Sequence, residues 1–405
     1  MKRMHAVGDR TWNGPPQRQQ RRSGLAGVPE NDRRSESPVD GLSPNRRTWI
    51  ATGPVSTGDL LGRYARSRVP GLQYVAVDGE RTLFEYAGGW ADVRDRRPMT
   101  LDTAMMAYSM TKICTAVAIL QLVERQALGL DDGIDRYLPQ NPYTGHSISI
   151  RHLLNHTSGI PNPLPLRWVH LQEEDAAFNE DAALARVLRE NPKLEFRPGR
   201  RFAYSNIGYW LLGRIVEGIT GGSYRDYVRA NILRPLGLPA EDMEFVVSDP
   251  ERQANGYVAK YSLTNLLKGF LIDGRFWDAY DGNWLRLNPL YVDGAAFGGL
   301  IGTARGFGRF LQDLLRPASV LLSPAAQRIM ETRQTQDTGK PIPTTLGWHV
   351  GKSSNAFYLF KQGGGGGFQS EMRLYRARGI ATVLMANATD FRAGRLLNRV
   401  DREWR

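Results

Sequence analysis

The stretch Thr103–Val123, TAMMAYSMTKICTAVAILQLV, holds a single charged side chain, Lys112. Apolar residues follow it on every helical face, so the spacing predicts a buried helix from about Ser109 to Gln126, ending before Gly129. Ile113–Val123 is interrupted by Thr115 and Gln121 and falls short of the ~18 consecutive apolar residues that a membrane span needs. Ser109 precedes Lys112 by three residues, which puts both side chains on one face, a turn apart. The chain carries 45 Arg and 8 Lys, yet it uses lysine here, the cation whose pKa burial can lower. A neutral amine can take a hydroxyl proton, and a helix N-terminus favours the negative charge that develops. A capping serine followed by a snorkelling lysine gives the same spacing a purely structural meaning. None of the other seven lysines has a serine three positions before it.

Outward from this segment, strand patterns flank helical ones. A short helical pattern covers Gly58–Arg68, and Leu72–Asp78 and Arg81–Gly88 alternate around Asp78-Gly79 as a hairpin. Helices are expected over Ile150–Leu154, Asp181–Asn191, Ile207–Thr220 (stopped by Gly221-Gly222), Tyr224–Leu233, Thr303–Leu315 and Pro324–Thr332. Residues 255–295 read as loop-rich and aromatic, with Phe276, Trp277, Tyr280, Trp284 and Tyr291. Thr345–Val350, Ala356–Phe360, Phe368–Tyr375 and Ile380–Ala386 predict an antiparallel meander, and Asp390–Arg402 a closing amphipathic helix. Strands at both ends with helices between predict an α+β body carrying a helical insertion.

The 405 residues are enough to bury a core without staples, and 41 % hydrophobic with 23 % charged residues is ordinary globular composition. The one cysteine, Cys114, excludes an intramolecular disulfide and any multi-cysteine metal site, and reads as a small core residue. The six histidines are scattered without HExxH, which argues against a dedicated metal enzyme. Net charge is +12, of which residues 1–50 carry ten Lys/Arg against five Asp/Glu. That tail lacks apolar periodicity and is expected to be disordered. The remaining charge is spread thinly, so nucleic-acid binding is not expected. With no apolar h-region at the N-terminus, the sequence as written predicts a cytoplasmic protein; a misassigned start site would leave export open.

Two further segments carry chemistry. In Tyr204-Ser205-Asn206, Tyr204 is the one tyrosine of sixteen with Asn two residues on. A tyrosine near a lysine can shuttle protons, and an Asn amide can hold both a lysine and a substrate carbonyl. The structural alternative is a packed loop Tyr with Asn206 as helix N-cap. Lys361-Gln362 is followed by Gly363–Gly367 between two strand patterns. Such a run lets backbone N–H groups approach a substrate, or is simply a turn. No helix follows it, which disfavours a phosphate loop, and G-x-S-x-G is absent.

Ser109-Met110-Thr111-Lys112, Tyr204-Ser205-Asn206 and Lys361-Gln362-Gly363 together resemble the three signatures of the penicillin-recognising serine hydrolases, nearest to the class C β-lactamases and their esterase relatives. Leu153–Gly159, Arg197-Pro198-Gly199, Pro235–Leu238 and Gly363–Phe368 resemble the same branch, so the likeness spans roughly residues 55–390. It implies a β-lactamase/transpeptidase-like α+β fold, an antiparallel sheet flanked by helices with an all-helical insertion. Residues 51–405 would then form one catalytic domain, with an α/β part about 55–130 and 295–405 and a helical part about 131–294.

By resemblance, Ser109 is the nucleophile, Lys112 its general base and Tyr204 the proton relay, with Asn206, Lys361, Gln362, Gly363 and Gly364 binding substrate. The oxyanion hole combines the N–H of Ser109 with one near Gly364, and His156 becomes a packing histidine with its hydrogen bonds satisfied. The third signature departs from the family's Lys-Thr-Gly: Gln362 replaces the hydroxyl residue that would meet a substrate carboxylate. With the aromatic segment 255–295, this ranks cleavage of small esters first and β-lactam or D-alanyl peptide cleavage second. A non-catalytic acyl-binding or sensor protein is the alternative of another class. No metal or organic cofactor is implied, the partner is a small ester or amide, and nothing specifies an oligomeric state.

Overall fold

Strand alternation builds the centre of the molecule. The computed structural model describes residues 56–163, 167–247, 249–352 and 357–404; the basic tail expected over residues 1–50 lies outside them. Helix α1 (Thr57–Ser67), capped by the Ser56 hydroxyl, leads into β1 (Gly71–Asp78), β2 (Thr82–Asp92) and the short β3 (Arg97–Pro98). Near the C-terminus, β4 (His349–Lys352), β5 (Phe357–Gly365), β6 (Phe368–Tyr375) and β7 (Ile380–Ala386) complete a seven-stranded sheet in the order β4-β5-β6-β7-β1-β2-β3. β1 pairs antiparallel with β7, from Leu72↔Ala386 to Asp78↔Ile380, and so joins the two ends of the chain.

β1 is buried on both faces, and its alternate side chains serve two cores. Val75 and Val77 face the large core shared with α2 (Thr111–Glu124) and with the helix Ala304–Leu315; Leu72, Tyr74 and Ala76 meet Leu60, Leu61, Leu396 and Leu397 of α1 and the C-terminal helix Ala393–Val400. Twelve of the fourteen residues of α2 are buried, as its all-round apolar sequence requires. The hairpin turn is fixed by the Asp78 carboxylate, which accepts from the N–H groups of Glu80 and Arg81 at 2.8 Å each.

Three expectations need correction. The helix expected from Ser109 starts at Thr111, because Tyr108–Met110 forms a 3-10 turn. The strand expected at Thr345–Val350 is displaced to His349–Lys352: Gly347, at φ 102°, turns the chain tightly against α2. Residues 131–294 are not all helical. They include a three-stranded antiparallel sheet of Tyr257–Ala259, Trp284–Leu287 and Trp277–Asp281, and Val169–Leu171 pairs with Leu290–Val292. Gly282 at φ 63° makes the two-residue turn between Asp281 and Trp284, a hairpin signal obscured by strands only four or five residues long.

On the far face of the sheet, Arg373 lies buried between two carboxylates, with Nε 2.5 Å from Glu371 and Nη1 3.5 Å from Asp401. Asp401 also accepts from the hydroxyls of Tyr74, Tyr375 and Thr382. Removing the cation strands two buried charges, so Arg373→Met should destabilise by about 3–5 kcal/mol. Asp401→Asn, which leaves Arg373 its Glu371 partner, should cost clearly less. Urea unfolding midpoints of the two variants test this ordering.

Candidate active site

The turn that carries Ser109 is held from several sides. Tyr108 sits at φ 46°, a left-handed conformation costing a non-glycine residue about 1–2 kcal/mol. It is fixed there by its hydroxyl, which donates to the Gly366 carbonyl at 2.7 Å, while Met110 N–H donates to Ala107 at 3.2 Å and Ala107 N–H to Leu300 at 2.9 Å. The glycine run of β5 lies directly against this turn. A Cβ on Gly363 would stand 1.9 Å from the Ala107 carbonyl oxygen, and one on Gly365 2.5 Å from the Tyr108 ring. Side chains at either place would push the serine turn off the sheet.

One turn beyond Ser109, the Lys112 amine is fully buried. Its Nζ lies 2.7 Å from Asn206 Oδ1, 2.6 Å from the Phe297 carbonyl and 3.0 Å from Ser109 Oγ. Burial drives its pKa well below the usual lysine range, and the nearby charge of Lys361 lowers it further. A neutral amine has two N–H bonds and one lone pair. In that neutral form the two carbonyl oxygens, which can only accept, take both N–H bonds and leave the lone pair to the Ser109 hydroxyl; in the protonated form the third N–H donates to Ser109 Oγ. From the other side, the Tyr204 hydroxyl donates to Ser109 Oγ at 2.8 Å. Burial raises the Tyr204 pKa, so at neutral pH this phenol keeps its proton.

Tyr204 is itself enclosed. Its ring lies 4.3 Å from His156 and 6.1 Å from His349, with the Lys112 and Lys361 amines each 5.1 Å from the ring centroid. The buried Lys361 donates to the Gly347 carbonyl at 3.1 Å, and burial brings its pKa down to about 7. His156 Nδ1 accepts from the Ser205 N–H at 3.2 Å, which places the ring proton on Nε2. Among the described residues that Nε2 has no hydrogen-bond partner, so the expectation of a satisfied histidine is corrected. Ser205, and not Asn206, caps the following helix (Asn206–Thr220), accepting from Gly208 N–H at 3.1 Å. This division frees the Asn206 amide for Lys112.

The structure thus brings Ser109, Lys112, Tyr204 and Asn206 together, with Lys361 behind the tyrosine and Gly364 along the wall. Gln362 does not join them. Alternate residues of a strand face opposite ways, so Gln362 points away from Lys361, exposed, and donates to Glu371 at 2.7 Å. Beside Ser109 opens a cavity of about 260 Å³ walled by Trp168, Leu271, Trp277, Leu290 and Phe297. Of the five aromatics noted in 255–295 only Trp277 reaches it, and Trp168 carries no local signal in the sequence. Among the described residues no three His, Cys, Asp or Glu side chains group as a metal site.

The two buried lysines make stability depend on pH in a definite direction. With a folded pKa of about 7 and an unfolded value near 10.4, Lys361 binds more protons in the unfolded chain throughout that window. Its burial is therefore tolerated best above about pH 10 and costs most below about pH 7. Lys361→Met should raise the thermal midpoint at pH 6, by the equivalent of a few kcal/mol, and leave it nearly unchanged above pH 10. Scanning calorimetry at the two pH values measures the difference.

Comparison with known proteins gives the family and the fold. The beta-lactamase family model matches residues 58–403. Penicillin-binding protein 4* of Bacillus subtilis (strain 168) is 29 % identical over 296 residues, which are 72 % of this chain and 62 % of that protein. Protein flp of Staphylococcus aureus (strain N315) is 30 % identical over 198 residues, 47 % of this chain and 38 % of that one. The chain therefore spans less than two thirds of the length of these relatives. The D-amino acid amidase of Ochrobactrum anthropi SV3, solved with D-phenylalanine, superposes with a TM-score of 0.72 at 23 % identity, over 85 % of this chain and 96 % of that one. The octameric penicillin-binding protein homologue of Pyrococcus abyssi gives 0.68 at 22 % identity, over 82 % and 73 %. The fold is the β-lactamase/transpeptidase-like α+β fold, and the chain belongs to the beta-lactamase family.

Proposed function

We propose that this chain cleaves small esters through an acyl-enzyme on Ser109. The observation that supports it best is the Lys112 amine, whose two N–H bonds are committed to Asn206 and Phe297 and whose remaining valence faces Ser109 Oγ. In this reading Lys112 takes the serine proton as Oγ attacks the ester carbonyl. The carbonyl oxygen, now negative, is held by the backbone N–H groups of Ser109 and Gly364. Such donors are typically worth ~10²–10³ in rate each. Tyr204 gives its proton to the departing alkoxide and, because Oγ is now acylated and has no proton to pass on, regains one from Lys112 through a water. Water then attacks the acyl-serine, releasing the acid and restoring the Ser109 hydroxyl.

Ester ranks above β-lactam or D-alanyl peptide for two reasons. Gln362 has an amide where Lys-Thr-Gly has a hydroxyl, and that amide is engaged with Glu371, so this position offers no hydroxyl to a substrate carboxylate. Among the residues that line the cavity the one charged side chain is Asp390, an acid, which repels that carboxylate. The apolar walls suit an acyl or alcohol group instead. A non-catalytic acyl-binding protein remains the alternative of another class.

Purified protein should hydrolyse short p-nitrophenyl esters at least about tenfold faster than nitrocefin; the reverse order would put β-lactams first. Lys112→Arg keeps the charge but cannot release a proton at working pH, so it should lose about 10²–10⁴ of the ester activity. A fluorescent phosphonate should label the wild type and not Ser109→Ala. Absence of both turnover and labelling in the wild type would favour the binding protein.

A further inference from the structure

The helix Leu263–Leu271 is built inside out. Its one buried residue is polar: Asn265, 8 % exposed, donates to the Lys260 carbonyl and accepts from the Tyr280 hydroxyl. Its apolar residues stand in water, with Leu263 at 69 %, Leu266 at 78 % and Phe270 at 83 % exposure, and Tyr261 just before it at 87 %. Leu263, Leu266, Leu267 and Phe270 follow the i, i+3, i+4, i+7 spacing that in an ordinary surface helix marks the face turned to the core. Here that stripe faces outward. The same helix also borders the reactive cavity, through Thr264 and Leu271.

We infer that this helix is a docking face for an anionic lipid surface, from which apolar ester substrates pass into the cavity beside Ser109. The second half of that statement rests on the hydrolase reading above; the first does not. Charge favours this occupant. Lys260 and Lys268 flank the stripe and converge on Tyr280, with Lys268 Nζ 3.0 Å from its hydroxyl and Lys260 Nζ 5.6 Å from its ring centroid. Neither lysine forms an ion pair among the described residues, and the nearby-in-sequence Asp278 and Asp281 pair with Arg94. Lysines and tyrosines that rim an apolar stripe are what an interfacial helix presents to headgroups, its apolar side chains reaching about 5–10 Å into the boundary. The chain's net charge of +12 acts in the same sense.

Size argues against a second copy of the chain. Nine residues make a strip about 14 Å long, far short of the ~800 Å² per partner of a stable dimer. No helix among the described residues is long and apolar enough to cross a membrane, so the contact would be peripheral.

Leu266→Ser with Phe270→Ser tests the inference, since both side chains are exposed and neither lines the cavity. Wild-type protein should co-sediment with phosphatidylcholine vesicles containing about one third phosphatidylglycerol, and at least about tenfold less with pure phosphatidylcholine. Binding should weaken in about 0.5 M NaCl, where charges are screened within a few ångströms. The double variant should lose binding about tenfold or more, keep p-nitrophenyl acetate turnover within about twofold, and hydrolyse a vesicle-dispersed long-chain ester more slowly. Equal vesicle binding by variant and wild type, or no wild-type binding, overturns the inference. A wild-type dimer in analytical ultracentrifugation that becomes monomeric in the variant assigns the face to a second copy and overturns it too. If vesicle binding holds but neither form turns over p-nitrophenyl acetate, the hydrolase reading fails and the lipid docking stands.

Discussion

The site depends on a buried lysine amine that, among the described residues, has no carboxylate beside it. Water would hold Lys112 protonated, and an adjacent acid would do the same. The described residues bury Nζ from bulk solvent among two carbonyl oxygens, a hydroxyl and the rings of Tyr204, Tyr209 and Phe297. Desolvation alone lowers the affinity for a proton, and the like charge of Lys361 adds to it. The apolar character of α2 therefore has a chemical as well as a structural result: the residues that bury the helix also lower the pKa of the amine at its start.

Much of this was legible because the signals were local and periodic. The lone Lys112 in an apolar stretch, with Ser109 one turn before it, already defines the pair that the structure holds at 3.0 Å. The alternation of β1, β6 and β7, and the glycine stops after the helices, placed most main elements to within a few residues. The misses come from causes no local pattern expresses. Gln362 follows Lys361 directly, and adjacency in sequence means opposite faces on a strand. Trp168 and the Phe297 carbonyl reach the site only through tertiary packing. The small sheet near residues 257–287 was hidden because its strands are too short for alternation to stand out from loop sequence.

The glycine run shows how two segments share one constraint. The left-handed backbone of Tyr108 is held in part by its hydroxyl bond to Gly366, and its ring lies where a side chain on Gly365 would stand. Strain in the serine turn is thus offset by contacts in the β5–β6 hairpin, a reciprocal arrangement common where backbone geometry serves chemistry. It also explains why the run is longer than a turn requires: its first three glycines are part of β5, lying against the serine turn and the Gln369 side chain.

The three partners of the Lys112 amine lie 3, 94 and 185 residues away along the chain. No fragment of the polypeptide contains them all unless it reaches from the serine turn past residue 297. A chain interrupted partway through synthesis, or only half collapsed, holds an ordinary protonated lysine beside an ordinary alcohol. The amine's environment is thereby assembled only when the long-range topology is complete.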